Sequence, residues 1–397
     1  MNLEIPRREA SLLQALTPLL FLAVLLALAV YLYADNASYG ANQIALLLAG
    51  GVAALVGIRN GIPWRHIQED LVHGVSLAVV PILILLAVGS LIGTWILSGT
   101  VPTLIVYGLK LLHPSFFYPA ACLICAIVAL AIGSSWTVAG TLGVALIGVA
   151  QGLDMSPAIT AGAVISGAYF GDKMSPLSDT TNIAPAAAGS ELFAHIRHMT
   201  WTTVPSIAIA LLLFTAIGLA NGGRVEGSAA LGDLPTTLAM QFNMGWHLLI
   251  PLAVVFALAV RRFPAYPTIL IGALLGAVFA VVFQPEAVIR LAGNADLSRP
   301  MALLSGAWTA MFDGFKAETG NTAVDDLLSR GGMSSMLNTV WLIVCAMAFG
   351  AVMETTGLLE RMIRSVLKAA KSTGSLIAAT LGTAIGANVV AADQYMS

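Results

Sequence analysis

Along the chain, runs of apolar positions alternate with short polar stretches at the spacing of membrane-crossing helices. A helix needs about 20 apolar residues to cross the ~30 Å hydrocarbon core of a bilayer. On that scale the pattern predicts spans over 12–33, 41–58, 71–97, 100–112, 116–135, 137–153, 157–171, 199–220, 244–260, 265–283, 337–356 and 374–397. Several of those between 100 and 190 are short and predict half-helices or re-entrant segments. The longest connection, 284–336, contains GAWTAMFDGFKAETGNTAVDDLLSRGG. Its carboxylates Asp313, Glu318, Asp325 and Asp326 read as solvated, and the segment reads as a cover over one mouth of the protein.

One stretch breaks the pattern. GDKMSPLSDTTNIAP, Gly171 to Pro185, puts two aspartates, a lysine, two prolines and five hydroxyl or amide side chains into an otherwise apolar chain. Its flanks, ITAGAVISGAYF and APAAAG, are rich in the small residues that let membrane helices approach closely. An ordinary surface loop needs no such neighbours, so the segment reads as a site built inside the membrane.

Composition narrows the class. The 397 residues are 58% hydrophobic and 10% charged, with a mean hydropathy of +0.90. Soluble domains carry about 25% charged residues, so the fold class is an all-α polytopic membrane protein. A net charge of −2 offers nothing to nucleic acid. The first run follows Arg7 and Arg8, is too long for a signal-peptide core and reads as a retained helix. Cys122, Cys125 and Cys345 lie in apolar runs and read as packing residues; CLIC lacks the strand–helix context of a redox motif.

Loop charge orients the chain. Arg59, Arg65, Arg197, Arg261, Arg262, Arg361, Arg364, Lys368 and Lys371 cluster on one side, while 34–40, 221–236 and 284–336 are neutral to acidic. The positive side is expected to be cytoplasmic, together with the N-terminus. LIGTWILSGTVP (91–102) is echoed by AFGAVMETTGLL (348–359), and AIGSSW (131–136) by AIGANV (384–389). Two echoes in the same order, on opposite sides by the charge rule, predict an inverted repeat of the kind found in secondary transporters. The expected organisation is N-terminal helices over 1–70 and a first repeat over 71–220, with its polar break at 171–185. Connecting helices and an external segment follow over 221–336, then a second repeat from 337 to 397.

Within the break, proline removes its own N–H and leaves the carbonyl four residues back unbonded. Pro176 and Pro185 thus predict free carbonyls at Asp172 and Thr181, beside the oxygens of Asp172, Ser175, Ser178, Asp179, Thr180, Thr181 and Asn182. Unwound backbone with carboxylate, hydroxyl and amide oxygens suits a hard cation, and no His or Cys spacing suggests zinc. A partly desolvated carboxylate can hold either a proton or a cation, which suffices for antiport at a site open to one side at a time. Asp179 is the first candidate, with Asn182, as a Na⁺ ligand; Asp172 precedes Lys173, which can pair with it. Ser135 and Thr137, in GSSWTVAGT, and Asn388 and Asp393, in GANVVAADQY, are the candidates for the facing wall. Back-bonding to a helical carbonyl is the alternative for Ser135 and Thr137.

These stretches, GSSWTVAGTLG, SGAYFGDKMSPLSDTTNIAPAAAG, TGNTAVDDLLSRGGMSSML and GANVVAADQY, resemble the NhaC family of sodium/proton antiporters from about Leu91 to the last residue. The resemblance implies an inner-membrane secondary transporter that exchanges Na⁺ for H⁺ by alternating access, with inverted repeats and no cofactor. Some members resemble sodium-coupled exchangers of organic acids or amino acids such as malate and lactate, which is the alternative activity. There the half-helix N-termini would hold the anion beside Lys173. Family members continue past ADQY through a second polar break, so the resemblance implies that this sequence lacks part of the second repeat. Expected partners are Na⁺, H⁺, the lipid bilayer and a second copy in a homodimer. An intramembrane aspartyl protease, suggested by YFGD, needs two aspartates that share a proton, and the glycine usual two positions before GD is Tyr169 here.

Overall fold

The computed structural model describes residues 9–111, 113–176, 178, 181, 184–185, 189–225, 230–261, 263–318, 324–325, 328–369, 372, 374–375, 378 and 381–382. Among them every regular element is helical. In chain order the α-helices are α1 Leu12–Tyr33, α2 Ala41–Arg59, α3 Trp64–Leu77, α4 Val79–Leu97, α5 Thr100–Leu111, α6 Phe117–Ile132, α7 Ser135–Val138, α8 Val144–Gly152 and α9 Pro157–Met174. There follow α10 Leu192–Val225, α11 Ala230–Gln241, α12 Ile250–Val260, α13 Ala265–Phe283, α14 Pro285–Ala292, α15 Arg299–Phe312, α16 Leu337–Thr355 and α17 Leu358–Ala369. Among the described residues eight stretches are long and apolar enough to cross a membrane, so the chain is a multi-pass, all-α membrane protein.

The predicted spans 12–33 and 265–283 coincide with α1 and α13. The predicted 71–97 is instead two helices, the amphipathic α3 running into the predominantly apolar α4. The predicted loop over 284–336 needs correction too, because it contains α14 and α15. Both open on proline at the first turn, where its missing N–H costs nothing. The second buries Ala302, Gly306, Ala307 and Ala310. The predicted span 374–397 lies almost wholly outside the described residues.

The chain divides into two compact units, 1–83 with 337–397, and 84–336. In the first, α2 packs against α1 and α16, α3 against α16, and α17 against α1. Its core joins Leu22, Leu46, Ala49, Ala53, Ile67, Phe349 and Val352. Gln43, fully buried, holds the entry to α2: its Oε1 accepts from Gly40 N–H at 2.9 Å and its Nε2 donates to Ser38 O at 2.8 Å.

In the second unit the closest helix pair is α6 and α9. The reason is read off α9, where a Cβ on Gly167 would collide with the Cys122 carbonyl and one on Gly171 with the Ala126 carbonyl. Lipid is as apolar as leucine, so membrane helices associate through such close backbone approach rather than through burial of apolar side chains. Trp95 of α4 is buried against α13 and donates from Nε1 to Gly272 O at 3.0 Å. The long connection is fastened to α4 as well: Gly332 N–H donates to Gly89 O at 2.7 Å and Ser90 Oγ to Met311 O at 2.9 Å.

Two stretches share one local architecture. The pairs Val79 and Leu337, Leu97 and Thr355, Gly99 and Gly357, and Leu111 and Ala369 are each 258 positions apart. Each stretch is a 19-residue helix, a glycine with φ of +82° or +68°, and a 12-residue helix. Only glycine takes that left-handed conformation without strain, so the turn fixes where the second helix begins.

Candidate functional site

The site forms where α6 ends and α7 begins. Gly133 terminates α6 in the left-handed conformation. Ser134 then caps α7: its Oγ accepts from Thr137 N–H at 3.3 Å and lies 3.0 Å from Thr137 Oγ1. The helix continues through a π-helical turn at Ala139–Gly143 into α8. Thr141 Oγ1 donates to Thr137 O at 2.6 Å. Ser135, buried at the first position of this broken helix, points at α9.

There its Oγ donates to Asp172 Oδ2 at 2.7 Å. Asp172 is 5% exposed, and its other oxygen, Oδ1, is buried with no hydrogen-bond partner among the described residues. A buried carboxylate oxygen is rarely left so, since an unmade hydrogen bond to a charged group costs more than the ~1–3 kcal/mol of a neutral one. The local field is mixed. Asp172 stands in the last turn of α9, where partial negative charge accumulates and a cation is favoured. It also faces the N-terminal end of α7, where a carboxylate is favoured. The arrangement is complementary to a positive ion or a proton at Oδ1.

The end of α9 is closed by the polar segment. Ser175 N–H donates to Asp172 O at 3.1 Å, and Thr181 Oγ1 donates to the carbonyls of Asp172 at 3.2 Å and Lys173 at 2.9 Å. The Asp172 carbonyl, predicted free because of Pro176, is therefore occupied; the carboxylate carries the vacant acceptor instead. Lys173, which could pair with Asp172 or snorkel, is exposed, and Asp172 takes Ser135 as its partner. Ser178 and Thr181 are buried beside the end of α9. Thr137 is buried as well, but its hydroxyl serves the cap with Ser134. Asp179, Thr180, Asn182, Asn388 and Asp393 lie outside the described residues.

Sequence reasoning passed over Ser90 and Thr94 on α4 and Ser98 just past its end, all fully buried at i,i+4 spacing. That spacing within an apolar run was the available signal. They do not join the Asp172 group: Ser90 bonds to Met311 O, Thr94 to its own helix, and Ser98 to Thr100.

The match to a family model decides the affiliation. Residues 167–397 match the model of the Na⁺/H⁺ antiporter family. The chain belongs to that family. It is 39% identical over 358 residues to the Na⁺/H⁺ antiporter NhaC of Alkalihalophilus pseudofirmus, covering 89% of this chain and 73% of that one. It is 37% identical over 356 residues to the NhaC antiporter of Bacillus subtilis, covering 89% and 75%. It is also 37% identical over 355 residues to the malate-2H⁺/Na⁺-lactate antiporter of the same organism, covering 89% and 72%. Family membership and the NhaC relatives together support Na⁺/H⁺ exchange as the activity of this antiporter.

Proposed function

We propose that Asp172 is a group on which this antiporter exchanges Na⁺ for H⁺. The observation that carries the reading is the buried carboxylate with one oxygen held by Ser135 and the other without a partner. Deprotonated, Asp172 offers Oδ1 to Na⁺; protonated, it is neutral and can release the ion. Ser135 holds the carboxylate in place while the load changes. In this reading Asp179, Asn182, Thr180, Ser178 and Thr181 of the polar segment, with Thr137, Asn388 and Asp393, are the further candidate ligands for Na⁺ or H⁺. Alternating access then moves the loaded site between the two sides of the cytoplasmic membrane, with the N-terminus on the cytoplasmic side.

The test is Na⁺-driven proton movement in proteoliposomes carrying an internal pH dye. Asp172→Asn and Asp179→Asn should each abolish it while the protein still inserts and binds detergent as a single species. Normal exchange by Asp172→Asn removes that residue from the mechanism. Proton movement that appears only after malate or lactate is added would replace the reading with the organic-acid exchanger.

A further inference from the structure

A pocket of about 280 Å³ opens on the segments outside the eight spans and shares no lining residue with the Asp172 group. Its floor is apolar. Phe242 and Leu328 are buried, Leu291 is half-buried, and the rings of Phe242 and Phe315 meet at 5.7 Å with a 54° tilt. The wall that carries Phe315 is fixed: Phe315 N–H donates to Arg330 O at 3.0 Å and Ala317 N–H to Ser329 Oγ at 3.0 Å.

Three charged side chains line its rim. Lys316 is already paired, its Nζ donating to Asp313 Oδ2 at 2.8 Å. Arg290 and Glu318 have no ion-pair partner among the described residues. Among the described residues the pocket thus presents one cation and one anion without an ion-pair partner, and an aromatic floor. We infer that it binds a neutral α-amino acid with an apolar side chain: the carboxylate on the Arg290 guanidinium, the ammonium on Glu318 and the side chain against the floor that Phe242 and Phe315 form. A volume below the roughly 300–1,000 Å³ of drug-sized pockets suits so small a ligand. A simple dicarboxylate fits less well, because Arg290 is the one lining cation without an ion-pair partner among the described residues and Glu318 repels a second carboxylate.

The probe is L-leucine, with binding to the purified full chain in nanodiscs measured by titration calorimetry. 4-Methylpentanoate, which lacks the ammonium, and 3-methylbutylamine, which lacks the carboxylate, are the controls. Saturable leucine binding is expected, with each control weaker by about tenfold or more, the loss of one hydrogen bond to a charged group. Arg290→Gln and Glu318→Gln should weaken leucine to a similar degree and leave Na⁺/H⁺ exchange in its absence unchanged. Both side chains are exposed, so the substitutions spare the core. Absence of saturable binding, equal binding of 4-methylpentanoate, or full binding by Arg290→Gln each overturns the inference.

Discussion

Ser135 Oγ donates to Asp172 Oδ2 at 2.7 Å across 37 positions of sequence. Among the described residues it is the one hydrogen bond to this carboxylate, whose Oδ1 has no partner there. Removing it with Ser135→Ala leaves a buried carboxylate unsupported, at a cost of about 1.5–3 kcal/mol for a bond to a charged group. If Asp172 loads Na⁺, Ser135→Ala should raise the Na⁺ concentration for half-maximal exchange by about tenfold, while Ser135→Thr keeps it near the parent value. A Na⁺ titration of dye-reported exchange separates the two. An unchanged half-maximal concentration in Ser135→Ala would show that the bond serves folding only.

The position of Asp172 depends on the glycines beside it. Gly167→Ala and Gly171→Ala would each drive a Cβ into a backbone carbonyl of α6, at Cys122 and Ala126. Overpacking of this kind costs about 1–3 kcal/mol and shifts the helices apart. Both variants should melt earlier in detergent and lose exchange, since α9 carries Asp172 away from Ser135. Gly162→Ala on the same helix meets nothing within 4 Å and should be neutral or stabilising by up to about 1 kcal/mol. Equal melting of all three variants would contradict the close-approach account.

Much of the fold was legible because hydropathy and length act locally. α1 and α13 are single apolar runs with polar punctuation, and their ends follow from sequence. The boundary between α3 and α4 was not legible, since Val72, Val75 and Leu77 continue the apolar run across it. α14 and α15 were hidden in a polar connection, where eight- and fourteen-residue helices depend on tertiary packing. At the site, residue types were readable and pairings were not. Lys173, adjacent to Asp172, was the obvious partner, yet neighbours in sequence on a helix point in different directions. Ser135 reaches Asp172 only because Gly167 and Gly171 admit the backbone of α6, a contact that no local pattern encodes.

Asp154 closes the turn between α8 and α9 at a φ of +53°. Aspartate tolerates the left-handed region better than most residues, and a β-branched side chain does so least. Asp154→Gly should match or exceed the parent in thermal stability, and Asp154→Val should lose about 1–2 kcal/mol. Scanning fluorimetry of the three proteins checks the order. A Val variant as stable as the parent would mean that the turn relaxes into another conformation.

Exchange should rise toward alkaline pH, because deprotonation is what frees a carboxylate to load Na⁺. The Asp313–Lys316 clasp outside the spans is a second titratable pair, and its signs can be worked out. The Lys316 hydrogen bond holds the Asp313 carboxyl below the ordinary 3.8, and the same bond holds the Lys316 ammonium above the ordinary 10.5. The stability that Asp313 supplies is present above 3.8 and is lost as pH falls through its lower folded value. That supplied by Lys316 is present below 10.5 and is lost as pH rises through its higher folded value. Between roughly pH 4 and 10 the clasp therefore does not change, and it cannot be the source of alkaline activation. Lys316→Gln should leave the pH midpoint of exchange where it is, measured with the internal dye between pH 6 and 9. Below pH 4 the parent should lose thermal stability more steeply than Asp313→Asn, which has no carboxyl to protonate there. A midpoint moved by about one unit in Lys316→Gln would instead place the clasp within the proton-sensing machinery.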